Sequence, residues 1–103
     1  RRAIEIDPED AYAYNNLGLL LENHRQDYNG AGKHYRKATE IDPNDANAHS
    51  NLGALLEDHR QDYDGAKAHY FKALKVDSNH SAARKNLNAL LRREQQQQQQ
   101  LAV

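Results

Sequence analysis

Cysteine is absent from this chain, as are methionine and tryptophan. Without cysteine there is no disulfide framework and no thiolate zinc site, although that alone identifies no compartment. Methionine is missing even at position 1, and the first residues match a pattern that returns later, so the chain is expected to be a segment of something longer. No apolar run approaches the roughly 18 residues needed to cross a membrane. No leader or transit segment is visible either, and the expected location is intracellular. The net charge of −1 lacks the basic excess that non-specific nucleic-acid binding requires, so neither a membrane nor a nucleic acid is an expected partner. Proline occurs only twice, each time after an aspartate, at Asp7-Pro8 and Asp42-Pro43.

Those two pairs stand 35 residues apart, and the spacing runs through the chain. The stretch from Asn16 to Asp45 returns nearly intact from Asn51 to His80. Between 11–45 and 46–80 about 21 of 35 positions are identical, which marks a repeat array rather than a chance likeness. In such an array each unit buries its apolar face against its neighbours, so 103 residues suffice without one large core.

Within a unit the apolar spacing is helical. Ala13, Leu17, Leu20, Leu21 and His24 follow steps of 4, 3, 1 and 3, and Tyr28, Ala31, Tyr35, Ala38 and Ile41 follow steps of 3, 4, 3 and 3. Arg25-Gln26 reads as a short turn, with Asp27 capping the second helix. Asp7-Pro8 and Asp42-Pro43 read as helix starts, the aspartate as N-cap and the proline at the first helical position. Small residues at Gly18, Ala31 and Ala38 let helices approach closely, and Leu17, Leu21, Tyr28 and Tyr35 fill the space around them. Gly32, where the second copy has Lys67, is a weak point in a helix interior, costing about 1 kcal/mol relative to alanine.

Residues 1–7 align with Arg36 to Asp42 and read as the end of a truncated preceding repeat. Repeat one is assigned to 8–42 and repeat two to 43–77, each a helix pair. After Asp77 only a first helix follows, read as a capping helix over 78–94. Its Leu87, Leu90 and Leu91 align with Leu52, Leu55 and Leu56, but Asn88 replaces the glycine, and these leucines are expected to be incompletely covered. The polyglutamine stretch Gln95 to Gln100 then either extends the helix or trails as a tail over 95–103.

Taken together, Tyr14, Leu17, Gly18, Leu21, Ala31, Tyr35, Ala38 and Pro43 resemble the tetratricopeptide repeat (TPR) pattern. In the second copy His49, Leu52, Gly53, Leu56, Ala66, Tyr70 and Ala73 hold those places, with Ser78 for proline. The chain is similar to a variant of that family with a 35-residue period, one residue over the usual unit, with Gln26 and Gln61 lengthening the turn. The resemblance implies an all-α, right-handed solenoid of antiparallel helix pairs. It also implies a protein-protein interaction scaffold that binds a peptide or helix of another protein in its concave groove and is not an enzyme. The alternative is a structural spacer or self-associating segment without a specific groove ligand. Head-to-tail stacking would join residues 1–6 to the unpaired C-terminal helix.

The residues themselves suggest no catalytic, cofactor-binding or metal site. Six histidines are present, but His24 and His59 are one repeat apart, as are His34 and His69. No pair has the four-residue helical spacing of a zinc site. No glycine loop suits a phosphate, and Ser50, Ser78 and Ser81 lack a nucleophile context. A groove has better support. Tyr12, Asn15, Leu19 and Glu22 form one stripe of the first helix; Asn47, Ser50, Ala54 and Glu57 are its equivalents, followed by Ala82, Lys85, Ala89 and Arg92. By resemblance this stripe faces the concave side. Of the subtype that grips a chaperone's C-terminal carboxylate, only Asn51 is matched. The groove should therefore prefer basic ligand groups near Glu22 and Glu57 and acidic groups near Lys85 and Arg92, with Tyr12 and Leu19 as the apolar contact.

Overall fold

The computed structural model describes residues 10–101. They form five helices, α1 (Ala11–Arg25), α2 (Tyr28–Ile41), α3 (Ala46–Arg60), α4 (Tyr63–Val76) and α5 (Ser81–Leu101), and among the described residues there is no strand. The fold is an all-α helical repeat. The truncated repeat expected at 1–7, the Asp7-Pro8 start and the N-terminal end of the expected head-to-tail contact lie outside the described residues.

Local chemistry sets the boundaries. Asp10 caps α1 by accepting the Ala13 N–H at 3.1 Å, and Asp27, Asp45 and Asp62 do the same for α2, α3 and α4. This corrects the expected Asp-Pro start. Asp42 closes α2, its N–H bonded to the Ala38 carbonyl at 2.9 Å, while its carboxylate accepts the Asn44 N–H at 3.0 Å. Its side chain is consumed in that turn, so Asp45, three residues on, caps α3. Asp77 repeats the arrangement with Asn79 at 3.1 Å, and the ring of His80 then receives the Ala83 N–H at 3.2 Å to start α5.

Within each pair the turn is the expected one. Gln26 and Gln61 end α1 and α3 in the left-handed conformation, at φ 48° and 51°. Asp27 and Asp62 return their N–H groups to the carbonyls of Leu21 and Leu56 at 2.9 Å, closing the turn. Gln26 and Gln61 therefore stand where a glycine would be at ease.

Packing runs along the array. α1 packs on α2, α2 on α3, α3 on α4 and α4 on α5. Tyr35 and Tyr70 are fully buried, each inside its own pair, with Leu52, Leu55, Leu87 and Leu90 filling the joints. Leu87 and Leu90 are thus covered, against expectation, and only Leu91, at 41% exposed, is left open. Gly32 is buried, and a Cβ there would lie 3.3 Å from Leu55 Cδ2, so this glycine sits in the joint between repeats. Gln95 to Gln100 belong to α5. That helix is tied to α4 by Lys67 Nζ to Glu94 at 2.7 Å and by the Arg93 guanidinium, 5.0 Å from the centre of the Tyr63 ring. The radius of gyration is 15.2 Å, above the roughly 13 Å of a compact domain this size, as a stack one repeat thick requires.

Candidate binding surface

The first helices lie side by side. The Asn51 side-chain Nδ2 of α3 donates to the Asn15 side-chain Oδ1 of α1 at 3.0 Å, and His80, just before α5, meets Asn47 of α3 at 2.7 Å. Side chains between these helices are therefore used in packing. Asn15 and Ser50 are buried, at 6% and 4% exposed. Both belong to the expected stripe, and the buried Asn15 is held by Asn51 of the neighbouring first helix. Leu19 is half-buried against the main core. Ala54 and Ala89 are half-buried, and Asn51 is half-buried through its bond to Asn15. Tyr12, Asn47, Ala82 and Lys85 are exposed. Tyr12 is the large one, with 73% of its surface open.

Glu22 and Glu57 also have occupations that the stripe did not reveal. The buried hydroxyl of Tyr35 donates to Glu22 Oε1 at 2.7 Å, and that of Tyr70 donates to Glu57 Oε1 at 2.8 Å. Burial first, and then the adjacent carboxylate, push both phenols well above the ordinary tyrosine range, so they stay protonated donors. The other oxygen of Glu22 lies 3.6 Å from His59 Nε2. His59 in turn stacks on Tyr28 of the preceding pair, ring centres 3.7 Å apart. Glu22 thus links both helices of repeat one to α3. The outer end of the expected stripe turns away from the first-helix face and toward the paired second helix. Arg92 occupies this same register on α5, where no second helix stands among the described residues.

The histidines fall into packing roles as well. Tyr14 and His34 face each other across repeat one, ring centres 5.9 Å apart, and His49 and His69 replace them in repeat two at 5.5 Å. His49 Nε2 is 2.9 Å from the Pro43 carbonyl, which only accepts. In the neutral pair this leaves His49 Nδ1 bare to receive the Nδ1–H of His69 at 3.3 Å. Burial, then Lys72, the His49 ring and Arg36, lower the His69 pKa to about 4, with Asp62 opposing. A cleft of about 530 Å³ opens beside the pair, lined by Glu40, Pro43, Lys72 and Lys75 among others. Among the described residues no three His, Asp or Glu side chains gather at a point, and no helix is long and apolar enough to cross a membrane.

Two family patterns match the chain: one described as TPR repeat over residues 23–59, the other as tetratricopeptide repeat over residues 1–32. Together they span 1–59, more than half of the 103 residues. No curated protein matches the chain.

Proposed function

Because the chain belongs to the tetratricopeptide repeat family, whose repeats mediate protein-protein interaction, we propose that it is an interaction scaffold that binds a peptide or helix along the face of its first helices. In this reading repeats one and two occupy 8–42 and 43–77, α5 acts as a cap, and the array curves as a right-handed solenoid with α1, α3 and α5 inside. The observation that carries it is Tyr12, an aromatic of α1 left 73% exposed. An aromatic with an apolar body and a polar tip is a suitable anchor. Leu19 and Ala54 continue the contact surface, and Lys85 supplies positive charge at the α5 end. Glu22 and Glu57 offer basic ligand groups only the oxygens their tyrosines leave free, so acid recognition at Lys85 contributes more to register than base recognition at the other end.

The test is a titration of the full chain with a peptide library graded in charge, read by amide chemical shifts. Binding peptides should shift residues of α1, α3 and α5 around Tyr12, Asn47 and Lys85. Tyr12→Ser and Lys85→Glu should each weaken binding without lowering the melting temperature. If neither variant alters the affinity of any bound peptide, the first-helix face is not the site. The spacer reading would then be favoured.

A further inference from the structure

We propose that the open face of α5 is a second docking site, for an acidic amphipathic helix of a partner protein. It lies on a different face from the first-helix surface and does not depend on a ligand there.

The argument starts from how a first helix receives its second helix. In repeat one Tyr14 faces His34, Gly18 accepts the Tyr35 ring, and Glu22 accepts the Tyr35 hydroxyl at 2.7 Å. In repeat two His49, Gly53 and Glu57 do the same for His69 and Tyr70. On α5 the same three places are Arg84, Asn88 and Arg92, and all three side chains are exposed. Between them lies Leu91, at 41% exposed, where Leu56 is 7% exposed beneath its second helix. Leu87 and Leu90 are buried and hold α5 on the array from the other side. The slot is present, and its lining has changed.

That change defines what fits. A Cβ at Gly18 or Gly53 would come within 2.6 or 2.7 Å of the tyrosine ring, so the side chain of Asn88 excludes a helix that brings tyrosine to this place. Arg92 likewise offers only donors, where the tyrosine hydroxyl has an acceptor in the two complete repeats. The α2 and α4 helices of a second copy are therefore poor occupants. A helix with a carboxylate in place of the tyrosine and another in place of the preceding histidine meets Arg92 and Arg84. Those two arginines are eight residues, two helical turns or about 12 Å, apart. A small or apolar residue on the same face of that helix would cover Leu91. Arg84 already donates to the Ser78 carbonyl, and its remaining N–H groups suit a carboxylate.

The experiment uses the full chain and two stapled helical peptides copied from α4, Tyr63 to Val76. One is unchanged and the other carries His69→Glu and Tyr70→Glu. The acidic peptide should bind at least about tenfold more tightly than the unchanged one, lose affinity as salt is raised, and shift the amides of Arg84, Asn88, Leu91 and Arg92. In the chain carrying Asn88→Gly and Arg92→Glu the preference should reverse, because the two places that receive the tyrosine then match those of repeats one and two. Arg92→Glu alone, at an exposed place, should already weaken the acidic peptide. Equal binding of the two peptides, shifts confined to α1 and α3, or an acidic peptide that does not bind would each overturn the proposal.

Discussion

Tyr70 lies so close to Gly53 that a Cβ there would stand 2.7 Å from its Cε1 and 3.2 Å from the Ala66 carbonyl oxygen. The glycine is the floor on which the second helix's largest buried side chain rests. Gly53→Ala gains about 1 kcal/mol of helix propensity, yet it should still lower stability, because overpacking of this kind typically costs about 1–3 kcal/mol. Gly53→Leu should cost more and unfold the array. Thermal melts of both variants check this; an alanine variant as stable as the parent would remove the packing role.

The hydroxyl above that glycine makes a separate prediction. Glu57→Ala leaves the buried Tyr70 hydroxyl without its acceptor and should cost about 1–3 kcal/mol. Glu57→Gln, which keeps an acceptor oxygen, should cost less. In Tyr70→Phe the hydroxyl is already gone, so adding Glu57→Ala should cost distinctly less than in the parent. Denaturant unfolding of the four chains measures the coupling, and additive losses would mean that the bond contributes nothing.

Gln26 and Gln61 sit at φ 48° and 51° to close the turns within each pair. Left-handed backbone costs a residue with a Cβ about 1–2 kcal/mol, and glycine gives part of that back through its more flexible unfolded state. Gln61→Gly should therefore stabilise the chain by about 0.5 kcal/mol, raising the denaturation midpoint without changing the slope of the transition. A lowered midpoint would show that the glutamine side chain contributes more than its backbone costs.

His69 couples stability to pH. Its pKa in the folded chain is about 4, below the ordinary 6.5. The fold thus favours the neutral ring, and its contribution is complete above pH 6.5 and lost as pH falls through 4. Each pKa unit corresponds to about 1.4 kcal/mol, and solvent screening of a half-buried ring leaves a contribution of about 1–2 kcal/mol. Melting temperatures should fall between pH 6.5 and 4, and His69→Asn should flatten that part of the profile. An unchanged slope in the variant would move the cause to other groups.

Much of the architecture is legible in the residues. Asp27 and Asp62 mark helix starts, Tyr35 and Tyr70 mark buried faces, and Gly18 and Gly53 mark close approach, because each acts on its own helix or its immediate partner. Asp42 and Asp45 illustrate where such reading is ambiguous: both are good caps, and a turn that uses the first leaves the cap to the second. Glu22 and Glu57 look like solvated groove residues in isolation. The signal that reveals them is coordinated change, since Gly18 with Glu22 and Gly53 with Glu57 accompany a tyrosine, and Asn88 with Arg92 do not.

The sequence by itself determined the repeat, the helices and the pairing of each first helix with its second, since periodicity, caps and close-packing residues act over a few turns. Only the tertiary structure decided which polar residues remain available to a partner. Asn15 and Ser50 are buried, Asn15 against Asn51 of the neighbouring first helix, and Glu22 and Glu57 are occupied because a tyrosine on the second helix reaches them. Lys85 and Arg92, which hold the corresponding places on α5, are exposed, and α5 lacks a second helix among the described residues. Burial depends on what stands opposite, and that neighbour lies many residues away in the chain.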